Sequence, residues 1–236
     1  MGLFMNKPAI IVALDVPSVS AVISSVACLP PQIAWYKVGL ELFCAEGPDV
    51  IKPLKDEQKR IFLDLKLHDI PRTVERSVCS VARHGVDLLT LHASGGQAML
   101  RAAVNAAKSE GNGRMKLLAV TVLTSLDQQD LQEAGIQRSP RDQALKLAEM
   151  AYACGVDGVV CSLHEASAIR ASLGPDALIV TPGIRLPDQS VGDQKRVGTP
   201  KDAMVAGASH LVIGRPIMEA SDPAAVYAAI QADLNA

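Results

Sequence analysis

The stretch Arg60-Ile61-Phe62-Leu63-Asp64-Leu65-Lys66-Leu67-His68-Asp69-Ile70-Pro71 begins apolar, turns polar, and reaches a proline just before a run of helical period. Its first half, residues 60–65, has the length and the Ile/Phe/Leu content of a buried strand, and residues 74–84 follow it as an amphipathic helix. The same unit recurs along the chain. Strands are expected at 9–14, 35–38, 60–65, 88–91, 117–122, 158–160, 178–181 and 210–213. Helical patterns are clearest at 74–84, 96–109, 142–154, 164–173 and 223–234. Continuously apolar strands that alternate with helices indicate a parallel sheet covered on its faces. Eight such units in 236 residues favour a closed (β/α)8 TIM barrel, one α/β domain over 1–236, rather than an open doubly wound sheet. No Gly-x-Gly-x-x-Gly follows the first strand, which further weakens a dinucleotide fold.

Composition narrows the partners. A formal net charge of −2 gives no reason to expect general affinity for nucleic acid or an anionic membrane. The apolar run 9–14 is short and ends in Asp15, unlike a signal peptide. Asn6 leaves the myristoylation pattern after Gly2 incomplete. No stretch approaches the roughly 20 apolar residues that span a bilayer. Cys28, Cys44, Cys79, Cys154 and Cys161 are odd in number and lack CxxC spacing, which implies a cytoplasmic protein with mostly buried thiols.

Polar residues recur where strands end. Asp15 follows the first, Lys37 lies on the second, Asp64 and Lys66 on the third and His92 on the fourth. Thr124 and Ser125 follow the fifth, Pro182 to Arg185 the seventh, and Gly214-Arg215 the eighth. In a barrel these ends meet at one mouth, where active sites are built. Asp64 and Lys66, two apart on a strand, emerge on one face about 6–7 Å apart. A charge there needs a partner, so the pair is either acid–base chemistry or a structural ion pair. Asp69, just before Ile70-Pro71, fits catalysis or a helix N-terminus equally well. Asp15 and Lys37 could likewise be only a rim salt bridge. The histidines show no metal-ligand spacing, and His92 reads as a hydrogen-bonded residue of the mouth.

A second cluster reads as an anion site. Thr181-Pro182-Gly183-Ile184-Arg185 and Val212-Ile213-Gly214-Arg215-Pro216 each set a glycine and an arginine directly after a strand. Glycine lets backbone N–H groups approach an anion, and arginine supplies a permanently charged fork. The loops after strands seven and eight hold phosphate in many barrels, so a phosphorylated substrate is expected; the alternative is a turn glycine beside a surface arginine. The irregular stretch 183–200 is long enough to be a mobile lid on that face.

Together these segments resemble orotidine 5'-phosphate decarboxylase in its bacterial short form. The resemblance rests on Ala13-Leu14-Asp15, Tyr36-Lys37-Val38-Gly39, Phe62 to Pro71, Thr90-Leu91-His92, Val120 to Ser125, Pro182 to Arg185 and Ile213 to Ile217. It implies conversion of orotidine 5'-phosphate to uridine 5'-phosphate and carbon dioxide with no cofactor and no metal. Lys66 would protonate C6 of the pyrimidine, with Asp64 and Asp69 beside it and Lys37 completing an alternating charge network. It also implies a homodimer with shared active sites, in which Asp69 and Thr73 serve the neighbouring subunit. Asp15 and Lys37 would hold the ribose hydroxyls, Thr124 and Ser125 the pyrimidine, and Gln194 would bridge phosphate and base. Pro182, Arg185, Gly214 and Arg215 would form the phosphate site.

Two rivals remain. Magnesium-dependent sugar-phosphate decarboxylases and aldolases of the same superfamily share Asp-x-Lys-x-x-Asp, but carry a metal-ligating glutamate near the end of strand two. This chain has Lys37 there, which would repel a divalent cation. A non-catalytic phosphate-binding barrel is the other, disfavoured because an unused charge cluster at a rim costs stability.

Overall fold

The eight apolar runs become eight parallel strands in a computed structural model that describes residues 7–111, 113–185 and 198–235. They are β1 (Ala9–Leu14), β2 (Trp35–Gly39), β3 (Arg60–Leu67), β4 (Leu88–His92), β5 (Lys116–Val120), β6 (Gly158–Val160), β7 (Leu178–Thr181) and β8 (His210–Ile213). Each pairs with the next in chain order, and β8 returns to β1 through the register Ala9↔His210 to Val12↔Ile213, closing a (β/α)8 barrel. The sheet has no free edge, so every strand finds its hydrogen-bond partners within it.

Alternation along the strands makes two cores. Ile11, Ala13, Trp35, Phe62, Leu88, Leu118, Val180 and Val212 pack together inside the barrel. Their neighbours of opposite parity, among them Val12, Tyr36, Val38, Ile61, Leu63 and Leu89, pack outward against residues such as Val74 and Val78 of helix Pro71–Ala82. The inward parity carries Lys37 one layer above Trp35, Asp64 above Phe62 and Thr90 above Leu88, toward the C-terminal mouth. Local signals start the helices: Ser139 accepts the Asp142 N–H ahead of Pro140–Ala153, and Ser162 with Glu165 forms a capping box on Leu163–Leu173. Gly158 is required by packing, since a Cβ there would lie 2.1 Å from the Leu178 carbonyl oxygen.

The N-terminal end of the barrel is closed by rings. Trp35 meets His210 edge to face at 5.4 Å, and the Arg60 guanidinium lies 4.2 Å from the Trp35 centroid. Burial, with Arg60 nearby as a lesser cause, pushes the His210 imidazole down to about 4.

Three sequence expectations need correction. β3 runs two residues past residue 65 and is bulged, whereas β5 stops at Val120 rather than reaching 122. The thiols are not mostly buried: Cys154 and Cys161 are, Cys79 is half-buried, and Cys28 and Cys44 are exposed. Exposure follows from their helices, since Cys28 and Cys44 fall on outer faces of Val19–Cys28 and Leu40–Glu46 while Val22 and Leu42 face inward. No helix among the described residues is long and apolar enough to cross a membrane.

Candidate active site

The C-terminal mouth opens into a cavity of about 250 Å³. Its wall includes Asp15, Lys37, Asp64 and Lys66, then Pro182, Gly183, Arg185, Gly214 and Arg215, together with Thr124 and the apolar residues Val120, Val122, Val160 and Cys161. Six strand ends, those of β1, β2, β3, β5, β7 and β8, therefore deliver polar residues expected to converge. Asp15, Lys37, Asp64 and Lys66 also line an adjoining recess, so the charges form the partition between two hollows.

Those charges stand as two ion pairs. Lys37 Nζ donates to Asp15 Oδ1 at 3.0 Å, with the lysine mostly buried and the aspartate exposed. Lys66 Nζ donates to Asp64 Oδ2 at 2.8 Å, both side chains partly buried. Gly39 keeps room for the first lysine, since a Cβ there would stand 2.9 Å from Lys37 Nζ.

Lys66 reaches the cavity by a route that simple alternation does not describe. Leu63 pairs with Leu89 and Leu67 with Leu91, so three residues of β3 stand opposite the single residue Thr90. The excess is taken up partly at Lys66, whose φ of 51° lies in the left-handed region. Such a backbone is costly for a residue with a Cβ, and its persistence at this position points to a functional constraint. Thr90, fully buried, accepts the Lys66 N–H at 2.9 Å and donates to Asp64 Oδ1 at 2.9 Å. Sequence reasoning passed over Thr90 as part of a motif; the available signal was a hydroxyl in the middle of an otherwise apolar strand.

Ser125, Asp69, Thr73 and His92 fall outside the cavity wall. Ser125 is exposed beside Thr124. Asp69 is exposed and its Oδ1 accepts the Ile70 N–H, which satisfies an amide just ahead of helix Pro71–Ala82; Thr73 is exposed on that helix's first turn. His92 packs its ring against His68 at 5.3 Å. Burial, then the neighbouring His68 and Lys66, lowers its pKa against an opposing pull from Asp64, so it is neutral near pH 7. Gln194 and most of the proposed lid, 186–197, lie outside the described residues. The flanks are joined: Ile184 bridges Gly198, and the Arg185 N–H donates to the Gly198 carbonyl at 3.0 Å.

Gly214 also lines the cavity. A Cβ there would meet Ala13 Cβ and Asp15 Oδ2 at 3.3 Å, so the absent side chain leaves the backbone approachable from the cavity.

Comparison with known proteins identifies the family. The model of the orotidine 5'-phosphate decarboxylase / HUMPS family matches residues 8–230. Orotidine 5'-phosphate decarboxylase of Marinomonas sp. (strain MWYL1) is 48% identical over 226 residues, covering 96% of each chain. The enzyme of that name from Moorella thermoacetica is 47% identical over 97% of this chain and 93% of its own. Among solved structures, orotidine 5'-phosphate decarboxylase from Lactobacillus acidophilus superposes with a TM-score of 0.86 at 41% identity, covering 98% of this chain and all of that one. With a family model matched over residues 8–230 and relatives 47–48% identical over nearly the whole chain, the chain belongs to the orotidine 5'-phosphate decarboxylase / HUMPS family.

Proposed function

We propose that this chain converts orotidine 5'-phosphate to uridine 5'-phosphate and carbon dioxide, using its own side chains and neither metal nor organic cofactor. The observation that carries the reading is one cavity lined both by the Lys66–Asp64 ammonium–carboxylate pair of β3 and by the glycine–arginine segments that follow β7 and β8. In the closed order of eight strands β3 stands across the barrel from β7, which suits a nucleotide whose reacting carbon is remote from its phosphate.

The chemistry follows from charge. Breaking the bond to the carboxylate leaves an electron pair on C6 in the plane of the ring, where the π system cannot delocalise it. Lys66, hydrogen-bonded to Asp64, is the group that stabilises this charge as it develops and then transfers a proton to C6. Asp64 faces the departing carboxylate and holds the Lys66 side chain in place through their ion pair. Asp15 and Lys37 take the ribose hydroxyls, Thr124 and Ser125 the pyrimidine, and Pro182, Arg185, Gly214 and Arg215 the phosphate, with Gln194 bridging phosphate and base. Binding energy at the phosphate is then available to organise the charges around C6.

Asp69 and Thr73 are assigned to a neighbouring subunit's site in a homodimer. Both are exposed near Ile70, itself 67% exposed just ahead of helix Pro71–Ala82, so all three are accessible to such a neighbour.

The test is direct. Purified chain is mixed with orotidine 5'-phosphate in the presence of chelator, and loss of the orotate absorbance is followed. Turnover is expected without added metal. No turnover would overturn the reading, and turnover only after adding magnesium would favour the metal-dependent relatives.

A further inference from the structure

We infer that Thr90 is a positioning residue for the proposed proton donor, acting through both ends of Lys66 without touching the substrate. The inference rests on the decarboxylase reading for its kinetic consequence, though its structural basis does not.

Thr90 is the single residue of β4 that faces the three residues Asp64-Leu65-Lys66 of β3, an excess of two. A bulge of this size leaves backbone groups without ladder partners, and a buried amide without a partner is strongly disfavoured. The Thr90 hydroxyl supplies that partner for Lys66 N–H, and the same oxygen passes its own proton to Asp64 Oδ1. The other carboxylate oxygen, Oδ2, accepts from Lys66 Nζ. The result is a closed circuit: backbone of Lys66, hydroxyl of Thr90, carboxylate of Asp64, ammonium of Lys66.

Two features make the circuit a positioning device rather than incidental packing. First, a hydroxyl can accept and donate at once, and both capacities are used here. Donation to Oδ1 sets the rotation of the carboxylate, and with it the direction in which Oδ2 draws the ammonium. Second, Thr90 is fully buried and its β-branched side chain has few rotamers, so its oxygen is fixed by the fold and not by solvent. Thr90 is absent from the cavity wall, so its effect on chemistry must pass through Asp64 and Lys66.

The test compares Thr90→Val, which keeps the shape and removes the hydroxyl, with Thr90→Ser, which keeps the hydroxyl. Thr90→Ala serves as a second hydroxyl-free variant should valine against the carboxylate prevent folding. For each, kcat on orotidine 5'-phosphate, Kd for uridine 5'-phosphate, and hydrogen exchange at the Lys66 amide are measured. Losing a hydrogen bond to a charged group predicts a kcat about 10- to 100-fold lower in the hydroxyl-free variants. Product affinity should hold within about 2-fold, because its phosphate contacts are unchanged, and Thr90→Ser should recover most of kcat. The Lys66 amide should exchange at least about 10-fold faster without the hydroxyl and near the native rate with serine.

A hydroxyl-free variant with native kcat would overturn the positioning role, as would equal losses in valine and serine or a fall in product affinity matching that in kcat. Unchanged exchange at Lys66 would overturn the circuit itself, even if the native chain failed to turn over orotidine 5'-phosphate. That last failure alone would instead sink the decarboxylase reading.

Discussion

Replacing Lys66 by alanine and by glycine separates chemistry from backbone strain at one position. Both substitutions delete the ammonium 2.8 Å from Asp64 Oδ2, so both should abolish turnover and lose the same ion pair. They differ only at the backbone. At an ordinary strand position glycine is less stable than alanine by about 0.5–1 kcal/mol, because it loses more freedom on folding. With φ at 51°, alanine keeps the Cβ clash of the left-handed region, worth about 1–2 kcal/mol, and glycine does not. The order therefore reverses, and Lys66→Gly should be more stable than Lys66→Ala by about 0.5–1 kcal/mol. In a chain of this size that is a difference in Tm of roughly 1–4 °C. Urea unfolding at fixed protein concentration should show the same order as a shift in midpoint with unchanged slope. A glycine variant equal to or less stable than the alanine variant would refute the strained bulge, and near-normal turnover in either would refute Lys66 as proton donor.

Two further outcomes are expected. His210 is held at about 4 in the folded chain against 6.5 when free, so the unfolded chain takes up the proton first. Stability is thus full above pH 6.5 and falls by about 3 kcal/mol as pH drops through the folded value. His210→Gln should flatten that acid limb in unfolding curves measured from pH 7 to 4, and an unchanged limb would show that other groups govern it. Mixing inactive Lys66→Ala with inactive Asp69→Ala should restore activity, because a hybrid dimer assembles one intact site. No recovery after subunit exchange would mean that Asp69 acts within its own chain or not at all.

Much of the fold was legible because its signals are local. Runs such as Ile10-Ile11-Val12 and Leu117-Leu118-Ala119 are buried on both faces and need no partner to be recognised as strands of a covered parallel sheet. Polar residues at the ends of such runs identified most of the cavity wall, since in a barrel every strand end points to one mouth. Ser125 was grouped with Thr124 by adjacency, yet only Thr124 lines the cavity; loop residues past the end of β5 follow no strand period. The exposure of Cys28 and Cys44 was misjudged for a related reason: burial depends on which face of a helix packs, and cysteine type alone does not say.

The sequence by itself determined the eight strand–helix units, the barrel they imply, and the pairing of Asp64 with Lys66, because each rests on residue type and short-range spacing. Only the tertiary structure decided how that pairing is achieved. Strict alternation would carry β3 smoothly past β4, whereas the actual register sets three residues against Thr90, turns Lys66 left-handed, and ties it to Asp64 through one hydroxyl. Register between neighbouring strands is a property of the closed sheet, and Thr90 is 24 residues from Lys66 in the chain, so no local reading of either segment contains it.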